Sequence, residues 1–111
     1  MKSYEELLEK AKEWREWYYD GDPGTPEVAK STEEAFDLIN ATLFGHIYQR
    51  PKLDPKIRSL CTIAALIVLD KPNQLPGHIT GALNYGWSKD EIVELITCLL
   101  YTSDAADDSL R

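Results

Sequence analysis

The chain has 111 residues, of which 43% are hydrophobic and 28% charged, and its 19 acidic and 12 basic side chains give a net charge of −7. This length and composition suit a single globular domain and exclude a disordered or fibrous chain. The acidic balance argues against a nucleic-acid partner, because phosphate binding depends on clustered Lys and Arg, and no apolar run reaches the 18 residues of a membrane span.

Two further features favour a cytoplasmic location. The first ten residues are amphipathic and acidic, whereas a signal peptide has an apolar centre. The two cysteines, Cys61 and Cys98, are too few and too far apart for a disulfide framework or a zinc site. We therefore expect a cytoplasmic protein with no metal site and no membrane partner.

The first predicted helix begins at a capping box, in which Ser3 and Glu6 satisfy backbone N–H groups that the first turn leaves unpaired. Apolar residues then recur at helical spacing, at Leu7, Ala11, Trp14 and Tyr18. An aromatic cluster that we assign to core or subunit packing comprises Trp14, Trp17, Tyr18 and Tyr19. Gly and Pro residues between 20 and 26 predict the loop that follows.

The second predicted helix begins at another capping box, from Ser31 to Glu34, and ends where Arg50 and Pro51 break the pattern. Its buried face is predicted to carry Phe36, Ile39, Leu43 and Ile47. His46 and Arg50 lie four residues apart at the end of this helix. They are either a solvated cationic C-terminus, which the helix dipole favours, or an anion-binding pair.

The third predicted helix covers about 55 to 69, with Asp54 as N-cap and Pro55 at the first helical position. A buried parallel strand could also explain its apolar run, but the length of the run and its two alanines favour a helix. Because it is apolar nearly all round, we expect it to be the central buried helix, with Cys61 as a small hydrophobe inside it.

Two shorter helices follow. The fourth covers about 74 to 85, with Pro76 in its first turn and Gly86 as a C-terminal cap. The fifth begins at a third capping box, from Ser88 to Glu91, and runs through Ile96. No segment shows convincing strand alternation, so the sequence predicts an all-α domain of about five helices with short connections.

Three side chains in the second half of the chain are candidates for chemistry. His78 shares a predicted face with apolar residues, where a lone His is more often a core residue than part of a site. Arg58 lies one turn into the third helix, and if it is half-buried it needs an anionic partner. Glu91 and Glu94 could act as paired carboxylates in proton transfer, although Glu91 is already assigned to the capping box.

Two stretches of the chain resemble motifs of the carboxymuconolactone decarboxylase family. Residues 45–60 read GHIYQRPKLDPKIRSL, and the family shows a pattern like G-x-(I/V)-(W/Y)-x-R-P-x-L-D-x-(K/R)-x-R-S-L. Residues 74–94 read QLPGHITGALNYGWSKDEIVE, similar to the family's L-x-x-H-x-x-x-A-L-N-x-G-x-(S/T)-x-x-E-I-x-E. Two motifs in the right order and at the right separation make this a specific resemblance.

The resemblance implies an AhpD-like all-α fold that assembles into symmetric homotrimers or homohexamers. It also implies a lyase that removes CO2 from 4-carboxymuconolactone, a small anionic substrate of aromatic-compound breakdown, with no cofactor. Physical reasoning then assigns His78 as the acid that protonates carbon and Arg58 as a carboxylate ligand, with Glu94 in proton transfer. From their positions in the motifs, the residues expected to bind substrate are His46, Arg50 and Tyr48.

Some positions depart from the family's patterns. His46 stands where the decarboxylases often have Glu, which leaves the substrate open. A peroxidase branch of the family uses C-x-x-C-x-x-x-H, but in this chain its two cysteine positions hold Lys71 and Gln74. A peroxidase function would therefore have to depend on Cys61. A non-catalytic helical oligomer is the third possibility.

The end of the sequence resembles non-coding DNA read in frame. Residues 98–108 back-translate to the transposase adapter used in short-read library preparation, so we expect 1–97 to be the family domain and 98–111 a non-native tail. Without that tail, 16 acidic and 11 basic residues leave a net charge of −5. We expect the last helix to be incomplete and this chain to be less active than the complete protein, because the missing helix removes pocket wall and subunit interface.

Overall fold

The computed structural model describes residues 2–24, 30–100 and Thr102, and within them the fold is all-α, as predicted. Five helices and one 3-10 turn follow in chain order: α1 (Tyr4–Tyr18), α2 (Glu33–Leu43), the 3-10 turn (Ile47–Gln49), α3 (Pro55–Val68), α4 (Leu75–Asn84) and α5 (Lys89–Leu100). Residues 98–100 of the expected tail complete α5, and nearly all of the remainder lies outside the described residues. None of the described helices is both long and apolar enough to cross a membrane.

The chain divides into two compact units, Met1–Pro55 and Lys56–Arg111. In the first unit, α1 begins as predicted, because the Ser3 hydroxyl oxygen accepts a hydrogen bond from the Glu6 N–H at 3.2 Å. The predicted face of α1 is also confirmed, since Ala11 and Tyr18 are buried. Its aromatic residues pack with two rings from the segment after α2, and the stacked or edge-on pairs involve Trp14, Tyr18, Tyr19, Phe44 and Tyr48.

The predictions for α2 were partly wrong. Ser31 does not cap it: Lys30 is itself helical and Ser31 lies in the following turn, so α2 begins at Glu33 after Thr32, without a side-chain capping bond. Its buried face is rotated from the predicted one, because Asn40 and Ala41 are buried whereas Ile39 is 56% exposed.

The helix also ends at Leu43, earlier than predicted, and two residues later the chain at Gly45 passes very close to α1. A Cβ on Gly45 would collide with the backbone carbonyl oxygens of Leu7 and Ala41, so only glycine fits there. His46 therefore lies beyond α2, before the 3-10 turn. Gln49 connects that turn to α1 and to the end of α2, because its Nε2 donates to the Lys10 carbonyl at 3.5 Å and to the Phe44 carbonyl at 2.6 Å.

The second unit has a core to which three helices contribute. Ile63 of α3, Ala82 of α4 and Ile92 of α5 are buried together. Partly buried side chains surround them: Ile67, Leu75, Ile79, Trp87, Leu95 and Ile96. Burying this apolar surface is the main favourable contribution to the folding of the unit.

The prediction that α3 is buried all round was wrong. Only Ser59, Ile63 and Leu66 of this helix are buried, Cys61 is exposed, and Leu69 just after it is 64% exposed. Within one chain, α3 packs through a single face although its sequence is apolar on several. The uniform apolar run gave no indication of which face that would be.

The junction between α4 and α5 follows the predicted caps. Gly86 has a φ of +102°, which favours glycine, and Ser88 and Glu91 form a complete capping box with bonds of 2.9 and 3.0 Å. Trp87 connects this junction to the start of α3. Its indole N–H donates to the Lys56 carbonyl at 2.6 Å, and the Lys56 Nζ lies 4.4 Å from its ring centroid.

Candidate functional site

The second unit holds the catalytic candidates, and His78 is the most buried of them. It lies on the core-facing side of α4 with Gly81 and Ala82, and only 7% of its surface is exposed. Burial lowers the pKa of His78, because an apolar surrounding disfavours the charged imidazolium. Burial therefore favours the neutral form of the ring.

Arg58 is half-buried in the first turns of α3, one residue before the buried Ser59. Neighbouring side chains bond to the helix backbone at this point: the Ser59 hydroxyl donates to the Lys56 carbonyl at 2.6 Å, and the Thr62 hydroxyl donates to the Arg58 carbonyl at 3.1 Å. Both hydroxyls are thus engaged by the backbone of α3.

The two glutamates of α5 differ in their surroundings. The pKa of Glu91 is lowered, chiefly by the hydrogen bond that its carboxylate accepts from the Ser88 backbone N–H. Glu91 is thus held ionised as a capping residue, as the sequence indicated. Glu94 is exposed on the surface of α5 and takes no part in the capping box.

The first unit contains a cleft of about 460 Å³ that brings His46 and Arg50 together with two lysines. We call it the cationic cleft and define it by Lys2, Lys10, His46 and Arg50. One wall is the start of α1 and the other is the segment 42–51. Among the described residues that line it, none is acidic.

Tyr48 does not line this cleft. Its ring packs edge-on against Trp14 and Phe44, at centroid distances of 5.5 and 5.3 Å. It therefore belongs to the aromatic cluster that supports the 3-10 turn carrying the cleft wall.

Sequence reasoning missed Lys2 and Lys10, although a signal was present. Lys10 follows Leu7 by three residues and so shares a helix face with a residue of the predicted core stripe.

The sequence analysis also missed Arg15, whose guanidinium lies over the rings of Phe36 and Phe44 at 5.7 and 5.4 Å. The Nε of Arg15 is buried and has no hydrogen-bond partner among the described residues.

Within the part of the chain that the structure describes, no group of three or more His, Cys, Asp or Glu side chains could hold a metal ion. The candidates predicted from the sequence are thus placed as follows: His78 is buried, Arg58 is half-buried, Glu94 is exposed, and His46 and Arg50 line the cationic cleft.

Comparison with known proteins gives three findings. The profile of the carboxymuconolactone decarboxylase family matches residues 33–109. A 4-carboxymuconolactone decarboxylase from Acinetobacter baylyi is 36% identical over 86 residues, which are 70% of this chain and 64% of that protein. Nitrosuccinic acid decarboxylase npaB from Metarhizium robertsii is 37% identical over 65 residues, which are 59% of this chain and 46% of that protein.

The matched part of the chain therefore spans between about half and two thirds of these two relatives. No solved structure gives a significant match to the chain.

Proposed function

Since the family profile covers most of the chain, the chain belongs to the carboxymuconolactone decarboxylase family, and we propose that it is a carboxy-lyase acting on a small acid with two carboxylates. The observation that carries this proposal is the burial of His78, at the position of the family's motif histidine, on the core-facing side of α4. An imidazole at that position can donate a proton to a bound substrate, because its unperturbed pKa of about 6.5 lies near neutral pH.

The substrates named for the two relatives share one chemical feature. Each has a carboxylate whose loss leaves an electron pair that a neighbouring group can accept, namely the lactone carbonyl of 4-carboxymuconolactone and the nitro group of nitrosuccinic acid. Because the substrate itself accepts these electrons, we propose that this reaction needs neither a metal nor an organic cofactor. Each substrate also keeps a second carboxylate, by which it can be bound.

The proposed reaction consumes one proton, which takes the place of the lost CO2 on the substrate. The bond between carbon and the departing carboxylate breaks, CO2 leaves, and the electron pair passes to the acceptor group. A carbon atom is then protonated by His78, which takes its proton from solvent. Because burial lowers the pKa of His78, the ring gains that proton most readily when the anionic substrate is bound.

Other residues are proposed for supporting roles. Arg58 is proposed to pair with the reacting carboxylate through its planar guanidinium. Glu94, exposed to water on α5, is proposed to return protons from solvent. In the first unit, His46 and Arg50 are proposed to bind an anionic ligand, which their place in the cationic cleft supports, and Tyr48 is proposed to hold the wall on which they lie.

We also propose that the protein acts as a symmetric homo-oligomer. The support is the apolar surface that one chain leaves exposed on and beside α3, at Ile57, Val68 and Leu69. Residues of this kind are usually covered in obligate oligomers.

The test is release of CO2 from 4-carboxymuconolactone and from nitrosuccinic acid, using protein expressed from a gene whose 3′ end has been resequenced. We expect turnover of at least one substrate, and a loss of about 10²- to 10⁴-fold in His78→Gln, the size typical of general acid catalysis. Thr80→Ser is the matched control on the same helix and should keep near-normal rates. A folded oligomer that releases CO2 from neither substrate would reject the proposed function.

Resequencing also tests the proposed tail. We expect the source DNA to diverge from this sequence after codon 97 and to encode the remainder of α5. A contiguous genomic copy encoding residues 98–111 would show that the tail belongs to the protein.

A further inference from the structure

The cationic cleft concentrates positive charge in a protein whose net charge is −7. Lys2, just before α1, and Lys10 of α1 lie on one wall of the cleft, and His46 and Arg50 lie on the opposite wall. In an acidic protein, cations gathered in one concavity attract small anions and raise their local concentration.

Two close contacts hold the walls of the cleft at a fixed spacing. Gly45 lets the segment after α2 approach the backbone of Leu7, and Gln49 bridges the carbonyls of Phe44 and Lys10. Lys10 therefore lies on a helix fixed to the turn that carries the facing wall. A preorganised pair of walls lowers the entropic cost of binding a ligand between them.

We propose that the cationic cleft is a binding site for a small dicarboxylate, with Lys2 and Lys10 selecting for the second carboxylate. The guanidinium of Arg50 can pair with one carboxylate through two parallel hydrogen bonds, and the two ammonium groups face the other as point charges. Leu7 and Pro51 also line the cleft and offer apolar surface to the hydrocarbon between the carboxylates. A volume of about 460 Å³ is within the range of small-molecule sites.

The two lysines lie outside the part of the chain that the family profile matches. The family profile begins at residue 33, so the α1 wall lies outside the matched residues. The lysines also interact with each other, because the neighbouring Lys10 lowers the pKa of Lys2, while Glu6 raises it more weakly. A dianion placed against both ammonium groups would relieve their repulsion.

The test is calorimetric titration of the full 111-residue chain with succinate, acetate and inorganic phosphate. We expect succinate to bind and acetate to bind at least tenfold more weakly. In the double variant Lys2→Gln/Lys10→Gln, succinate affinity should fall by about tenfold or more, because charge-assisted contacts are among the stronger hydrogen bonds. Lys52→Gln removes one charge from the same loop as Arg50 without altering the cleft lining. The succinate affinity of this variant should stay within twofold of that of the parent protein.

Three outcomes would overturn the inference. One is unchanged succinate affinity in the double variant, another is an equal loss in Lys52→Gln, and the third is phosphate binding as tightly as succinate, which would indicate a general anion site. Thermal melting of each variant excludes unfolding as the cause, and Lys2→Gln alone provides a variant outside α1 if the double variant does not fold.

The inference rests on the anion-binding role proposed for His46 and Arg50 and adds Lys2 and Lys10 to that site, but the two proposals fail separately. Succinate binding without CO2 release from either substrate would support the binding site in the cleft and contradict the proposed decarboxylase function. Turnover without succinate binding would support the decarboxylase function and contradict the binding site in the cleft.

Discussion

Replacing Gly45 by alanine should destabilise the first unit by overpacking the contact between α1 and the segment after α2. The added Cβ would lie 2.5 Å from the Ala41 carbonyl oxygen and closer still to that of Leu7. Both atoms belong to the backbone, so no side-chain rotation can relieve the collision. One of the two segments has to move instead.

The size of the effect follows from this geometry. Reaching ordinary van der Waals contact requires the new Cβ and the carbonyl oxygens to separate by about 1 Å. Overpacking costs about 1–3 kcal/mol, and the upper end, about 3 kcal/mol, applies here because both obstructing atoms are backbone; the stiffer unfolded chain offsets about 0.5–1 kcal/mol of it. A net loss of about 2 kcal/mol corresponds to a roughly 30-fold change in the unfolding equilibrium and a melting temperature about 10 °C lower.

The assay is urea and thermal unfolding followed by circular dichroism. Gly24→Ala is the matched control, because Gly24 has open space around it but a φ of +76°, so the change there costs about 1 kcal/mol from backbone conformation alone. We expect Gly45→Ala to lose more stability than Gly24→Ala. A Gly45→Ala protein that melts within 2 °C of the parent would refute the reasoning, since ~0.5 kcal/mol is far below the expected cost.

Three further predictions concern the second unit. Trp87→Phe should cost about 1–2 kcal/mol in urea unfolding, since it removes the indole hydrogen bond to the Lys56 carbonyl and weakens the cation–π contact. Ser88→Ala should cost about 1 kcal/mol in the same assay, because the N–H of Glu91 loses its side-chain acceptor. Because burial holds the pKa of folded His78 below its unfolded value of about 6.5, unfolding free energy should fall as pH drops below that value, and His78→Gln should flatten this slope.

Each of these predictions has its own control. Lys56→Gln keeps the backbone carbonyl that Trp87 uses, so it should cost less than Trp87→Phe, and the opposite order would contradict the assigned hydrogen bond. Ser88→Asp retains a capping oxygen and should restore most of the stability lost in Ser88→Ala. For His78, a stability that stays level between pH 7 and pH 5 in the parent protein would contradict a lowered pKa.

Local signals in the sequence predicted the fold where the interacting groups are close along the chain. The caps at Ser3 and Ser88 involve residues three positions apart, and both formed as expected. The family motifs likewise gave the all-α class, and the helical face pattern placed His78 among buried neighbours. In these cases the sequence contains both partners of the interaction within one turn of helix.

Apart from the local capping box at Ser31, predictions failed where the deciding contact comes from another element. The close approach of Gly45 to α1 was not predicted, and the exposure of Cys61 depends on which side of α3 packs inward. The cationic cleft has the same origin, because Lys2 and His46 line one cavity only after α1 and the 42–51 segment come together. Neither helical spacing nor composition specifies such a contact.

The charge distribution connects the proposed chemistry with the acidic character of the chain. When a substrate carries its own electron acceptor, the protein has to supply cations that bind carboxylates and one acid that protonates carbon. A permanently charged acid would be costly to bury, whereas an imidazole with a lowered pKa can stay neutral until an anion arrives. The permanent cations can instead stand where water still reaches them, at much smaller cost. In the proposed function, such a division lets a chain with a net charge of −7 bind an anionic substrate.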